Sequence, residues 1–169
     1  MPFTPFHMGP GIMVKGILQG GFSLMVFGWS QMVMDIQPLF VLITGEGHLH
    51  GFSHTFVGAT LLAVFSALSG KYLSESGLKI LGISKEPDLI TIKWPVVCLS
   101  AFVGTYSHLV LDAVMHSDLR PYYPLSQKNE LLGIISATQL HLFCVTTGLL
   151  GVLIYCFSGY IQKKRNKAG

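Results

Sequence analysis

His108, Asp112 and His116 stand four residues apart, so on a helix they share one face with a slow drift. His50 and His54 repeat the interval, although Gly51 between them leaves room for His50 to lie in a loop. Neutral imidazole and carboxylate are ligands that zinc takes, and manganese and iron accept the same set. With His7 and Asp35 added, the candidate ligands of a divalent metal are His7, Asp35, His50, His54, His108, Asp112 and His116. Asp35 and Asp112 are also the candidate catalytic carboxylates. The chemistry open to such a set is hydrolysis, because a divalent ion readies water for attack on an ester or phosphoryl centre at neutral pH. The plainer alternative is local satisfaction. A single His within a helix is more often a hydrogen-bonded core residue than a ligand, and Asp35 alone could be met by Ser or Thr. The joint placement of two acids and at least four histidines favours the metal.

The composition says what must position these residues. Of 169 residues half are hydrophobic and only 11% are charged, against roughly 25% charged in soluble domains. Lipid is therefore part of the solvent. A helix needs about 20 mostly apolar residues to cross the hydrocarbon core. Four stretches qualify: Phe22 to Thr44, interrupted by Asp35; Phe52 to about Gly70; Ile92 to about Met115; and the uncharged Leu132 to Tyr160. Met8 to about Leu18 is apolar but too short to span, and reads as an interfacial or half-membrane helix. Its Pro10 sits where a first helical turn tolerates the missing N–H. The expected fold is all-α: one membrane-embedded domain over residues 1–169, a polytopic bundle of four transmembrane helices plus the short N-terminal one.

Charge orients the bundle. Lys163, Lys164, Arg165 and Lys167 mark the C-terminus as cytoplasmic under the positive-inside rule, and Lys71, Lys79, Lys85 and Lys93 then mark a second cytoplasmic loop. The loops near 45–51 and 117–131 face outward and hold only Arg120 and Lys128, so eight of the 11 basic residues are inside. Topology accounts for the net charge of +3, and no basic stripe interleaved with aromatics points to nucleic acid. At a rise of about 1.5 Å per residue, Asp35 lies roughly 13 Å from the outer end of its span, and Asp112 and His108 lie roughly 6 and 12 Å deeper than His116. His141 enters the fourth span by about 12–13 Å from the same side. All of these groups fall in the outer half of the bilayer. A charge inside a span costs about 3 kcal/mol even on the gentle insertion scale, so Asp35 and Asp112 need partners or a metal.

The remaining polar residues are secondary candidates. Arg120 is placed to bind an anionic group through a bidentate contact, and Asp118 is either an added ligand, a substrate contact or a solvated acid. Tyr122 and Tyr123 read as ligand contacts or interfacial anchors. His141 is a structural or supporting histidine. Ser53 beside His54 hints at a serine nucleophile, but adjacent side chains point apart. Gly45 to Gly51 is a turn without a phosphate-loop pattern. Cys98, Cys144 and Cys156 sit at unrelated spacings in apolar stretches and make no disulfide framework or metal pair. The segment MPFTPFHMGPG has no basic flank and is broken by Pro and Gly, so no cleavable signal is expected.

HLHGFSHT followed by SHLVLDAVMHSDLRPYYPL resembles the bacterial inner-membrane metal-dependent hydrolases of the LexA-regulated type. That resemblance covers nearly the whole chain and implies a multi-pass protein of the bacterial inner membrane. The family often shows Asp-x-Asp in its first acidic helix, whereas Asp35 is followed here by Gln37. More distantly, the order His7, Asp35, His54, His108, Asp112, His116 is similar to the zinc-dependent phospholipase C and single-strand nuclease superfamily. Its last His-x-x-x-acid element would fall at His141, but Val145 stands in the place of the acid.

The leading expectation is a membrane-embedded metal hydrolase acting on a phosphoester or lipid-linked substrate near the outer face. Its partners would be the bilayer and that substrate. A non-catalytic reading remains beside it: a metal- or haem-binding protein, or an accessory subunit of a larger membrane complex. A transporter or channel ranks third, because no internal repeat is visible and the inner halves of the spans lack polar residues to continue a path.

Overall fold

The computed structural model describes residues 5–82 and 91–168, and the statements below concern those residues. Lys85 and the side chain of Lys167, counted above among the basic residues, lie outside them. All regular structure is helical: α1 (Met8–Leu18), α2 (Leu24–Met34), α3 (Ile36–Thr44), α4 (Phe56–Ile80), α5 (Trp94–Met115) and α6 (Ala137–Ala168), with 3-10 turns at Pro5–His7, Gln19–Gly21 and Phe52–His54. Four segments are long and apolar enough to cross a membrane: Leu24–Thr44 (α2 with α3), Phe56–Ile80, Trp94–Met115 and Ala137–Asn166. The short N-terminal helix runs as expected. The fourth helix does not begin at Leu132, because residues 130–135 fold as turns and bends and the helix opens only at Ala137.

Local chemistry sets the element ends. Ser23 caps α2 by accepting from the Val26 N–H, and Thr55 caps α4 by accepting from the Gly58 N–H. Pro95 lies in the first turn of α5, where its missing donor is harmless. Gly45 takes a left-handed conformation (φ 73°) to end α3. The first span is not one continuous helix. Asp35 sits in a turn between α2 and α3, its N–H shared between the Gln31 and Met32 carbonyls, and Pro38 follows in the first turn of α3. The span therefore breaks at its only acid.

Helices α2, α4 and α5 pack against one another as a three-helix core. Met34, Ala59, Leu109, Ala113 and Leu119 fill it at the end that carries loops 45–51 and 117–131; Val26, Ala67, Val97 and Ala101 fill it at the other. Helices α1 and α6 form a separate close pair. A Cβ at Gly9 or Gly16 would overlap the backbone of Cys144 or Gly151, so only glycine permits this approach. Most of α6 is left for lipid: only 17% of its apolar window is buried. Loop 117–131 folds back over its end of the core. Asn129 donates to the Ala113 and His116 carbonyls, and the Phe56 N–H donates to the Pro121 carbonyl.

The expectation that the far halves of the spans lack polar groups is corrected. Ser30 and Ser100 are fully buried in those halves, Ser66 and Thr105 are fully buried near mid-span, and Lys71 is buried towards the far end. Three of the hydroxyls turn back onto carbonyls of their own helices, and Lys71 pairs with Glu75 and the Ile92 carbonyl. Small hydroxyls satisfied this way leave little trace in a hydropathy reading.

Candidate metal centre

Four elements deliver five side chains to one cluster. The break after α2 presents Asp35, and the turn before α4 presents His54. Helix α5 presents His108 and Asp112 one turn apart, and the turn before α1 presents His7. All five are buried, with relative exposures of 0–5%. Ligand atoms of Asp35, His54, His108 and Asp112 lie within 4.8 Å of one another.

Asp112 is the hub. Its Oδ2 stands 3.4 Å from His54 Nε2 and 3.2 Å from His108 Nε2, and its Oδ1 stands 3.5 Å from His7 Nε2. His108 Nε2 is also 3.5 Å from Asp35 Oδ1. None of these imidazole nitrogens makes a hydrogen bond. Five buried side-chain polar atoms among the described residues have no hydrogen-bond partner, and four belong here: His7 Nδ1, His7 Nε2, His54 Nε2 and His108 Nε2. Buried polar atoms are ordinarily paired. Two ligand atoms about 2.0–2.1 Å from a tetrahedral zinc ion stand roughly 3.3–3.4 Å apart. The separations around Asp112 match that edge length and exceed a good hydrogen bond.

The supporting hydrogen bonds leave the correct nitrogens for a metal. Gln31 Nε2 donates to the Gly104 carbonyl at 2.9 Å, which fixes the orientation of the amide. Its Oε1 then faces His108 Nδ1 at 2.7 Å, so Nδ1 carries a proton and Nε2 is the nitrogen left to face the carboxylates or a metal. Ser53 Oγ lies 2.9 Å from His54 Nδ1 and gives His54 a similar partner. Burial holds the pKa of His7 down to about 4, with His108 pushing the same way, and burial lowers His54 too. Both are neutral at pH 7, the form a metal takes.

A second group lies beside the first. His50, His116 and Asp118 bring ligand atoms together at the more exposed side. His50 Nδ1 donates to Asp118 Oδ2 at 2.8 Å and the His50 ring stacks on His116 at 4.3 Å. His116 Nε2 reaches Asp112 Oδ1 at 4.0 Å, which joins the two groups through that carboxylate. Burial, then the neighbouring His50, lowers the pKa of His116. For Asp118 burial pushes the pKa up, but the bond from His50 and its charge leave it below the ordinary carboxylate value. Arg120 is exposed, bonds to Gln127 through one guanidinium nitrogen, and helps line a cavity of about 390 Å³ with His48, His50 and Asp118.

The sequence-derived residues thus divide. Asp35, His54, His108, Asp112 and His7 meet at one centre, and His50, His116 and Asp118 adjoin it. Arg120 stands over the cavity above. His116 has left the helix, with extended backbone at the cap of α5, so the three-residue face ends at Asp112. His141 packs its ring against Phe6 at 4.8 Å and belongs to neither group. Val145 is exposed on α6.

Ser53 corrects an expectation, because in a 3-10 turn adjacent side chains do meet. Gln37 also has a defined role: its Oε1 accepts from the Ser53 N–H and its Nε2 reaches the His48 carbonyl, holding the turn that carries His54. Gln31 and His48 were not singled out from sequence, and the bracing roles of Ser53 and Gln37 were not foreseen. Gln31 was findable, since it precedes Asp35 by one helical turn in an apolar span.

Residues 14–168 match the model of the family described as YdjM inner membrane protein. No curated protein and no solved structure matches the chain. With four spans and a match over nearly its whole length, the chain belongs to the YdjM inner membrane protein family.

Proposed function

We propose that this protein is a membrane-embedded metal-dependent hydrolase that acts on a phosphoester or lipid-linked substrate at the outer face of the inner membrane. The observation that carries the reading is the set of unpartnered, buried imidazole nitrogens converging on Asp112 at ligand-to-ligand spacing. Asp35, His54, His108 and Asp112 would hold the ion, with His7 completing the set and His50, His116 and Asp118 available for a second. Zinc suits this mixture best, and manganese or iron would also be accepted. A bound ion supplies Lewis acidity, making water a nucleophile near neutral pH and drawing charge from the phosphoryl oxygen.

The chain's own residues would do the rest. Asp35 would serve twice, one carboxylate oxygen holding the ion and the other taking a proton from the attacking water. Asp112 fixes the imidazoles around one point, so that little reorganisation accompanies the reaction. Arg120 would hold the anionic group through the guanidinium donors that Gln127 does not use. Loop 117–131, pinned over the core, would limit bulk water.

Geometry weighs against haem. The rings of His7, His54 and His108 approach to 4.7–5.5 Å and flank a carboxylate, which leaves no slot for a flat macrocycle between two of them. A resident ion without turnover, in a subunit of a larger complex, is the alternative to be separated by assay. Reconstituted protein should hydrolyse phosphoester or lipid-linked phosphate substrates, lose that activity to a chelator and regain it with zinc or manganese. Asp112→Asn should insert normally and be inactive; a fully active Asp112→Asn variant would sink the assignment.

A further inference from the structure

Two cavities meet at the candidate metal centre, and they differ in character. The first, of about 390 Å³, lies under Arg120 and Tyr123 beside loop 117–131. The second, of about 490 Å³, has Asp35, Asp112 and His116 on its floor and Pro38, Leu42 and Leu49 as walls. They share His50, Ser117 and Asp118. The two are therefore neighbours, an Arg-bearing chamber and a gap with carboxylates at one end and apolar walls, separated by the bonded pair His50 and Asp118 and by Ser117.

That gap opens beside α3. Of the nine residues of α3 only Pro38 is buried, while Ile36, Phe40, Leu42 and Ile43 are 53–76% exposed. The break at Asp35 separates α3 from α2, and α3 has little packing against the rest of the bundle. In a bilayer its exposed apolar face must meet lipid tails. The mouth lined by Leu42 and Leu49 stands at the Thr44 end of this apolar face.

We propose that the substrate is a membrane amphiphile taken sideways from the outer leaflet. Its anionic polar group enters the chamber under Arg120, and its tail stays behind between Leu42 and Leu49. The proposal rests on the hydrolase reading above and narrows it to lipid-borne phosphate. The tail never leaves apolar surroundings, so no desolvated polar group and no exposed chain is created on entry. A water-soluble phosphoester would occupy the polar chamber alone and leave the apolar walls without a partner.

The test uses full-length protein in phosphatidylethanolamine/phosphatidylglycerol vesicles. The probe is a phosphatidylglycerol with a photoreactive diazirine at the head end of one acyl chain. After irradiation, cross-links should map to cavity residues such as Ser117, Leu49 and Pro38. They should survive an excess of glycerol phosphate and be lost in Leu42→Trp/Leu49→Trp, whose metal content stays that of wild type. Cross-links in the wild type confined to outward side chains such as Phe40 and Ile43 would overturn lateral entry, and so would their abolition by glycerol phosphate. Metal measured in the same samples separates the two readings. Metal with no cavity labelling refutes lateral entry alone, whereas well-folded protein without metal refutes the hydrolase reading and this one with it.

Discussion

Gln31→Leu isolates orientation of the metal centre from its ligands. Gln31 is 7% exposed in the core between α2 and α5, and leucine nearly matches its volume, so packing should survive. What is lost is the 2.7 Å acceptor of His108 Nδ1–H and the donor to the Gly104 carbonyl. His108 is then free to take the other tautomer or to turn its Nε2 from Asp112. Loss of such a supporting partner typically weakens metal binding by about 10–100-fold, or about 1.4–2.7 kcal/mol. Gln31→Glu keeps an acceptor for Nδ1–H and should bind metal more tightly than Gln31→Leu. Competition with a chromophoric chelator, on detergent-solubilised protein of matched helicity, measures both. Gln31→Leu protein that binds zinc as tightly as wild type would refute the role given to the His108 tautomer.

Two further outcomes follow from how α1 is held. Gly16→Leu should drive α1 from α6 at the Gly151 contact, withdraw His7 and weaken metal binding without abolishing it. Its effect should not add to that of His7→Ala, because both remove the same ligand; full additivity in metal titrations would contradict the contact. His7 also makes docking of this segment pH-dependent in metal-free protein. Its pKa is about 4 when docked against an ordinary 6.5 when released. The released form alone takes up a proton as pH falls through 6.5, so docking is favoured above that pH and weakens progressively down to about 4. Thermal stability of the metal-free protein should fall across that window, and His7→Leu should flatten the fall.

The helices were legible because hydropathy alone marks spans of this length, and the short α1 was bounded correctly by the same signal. The ends were less so. Ser23 and Thr55 are ordinary caps, but nothing in Leu132–Ser136 distinguishes turn from helix by apolarity. The break at Asp35 needed Pro38 and Asp35 to be read together. Within the site, His108 and Asp112 were visible as neighbours one turn apart on an apolar helix. The convergence of His7 and His54 on them depends on the α1–α6 glycine contact and on a 3-10 turn, both of them tertiary. Gln37 illustrates the limit well. In sequence it stands where the resembled family often carries a second acid; in the fold it braces the turn that aims His54.

The most direct test of the central claim is the metal content of purified, detergent-solubilised protein beside a His108→Ala/Asp112→Ala variant. The account predicts near-stoichiometric zinc, manganese or iron in the wild type and its loss in the variant, with both proteins folded. Folded wild-type protein that carries no metal, and takes none up from solution, would contradict the account and leave the cluster a hydrogen-bonding core.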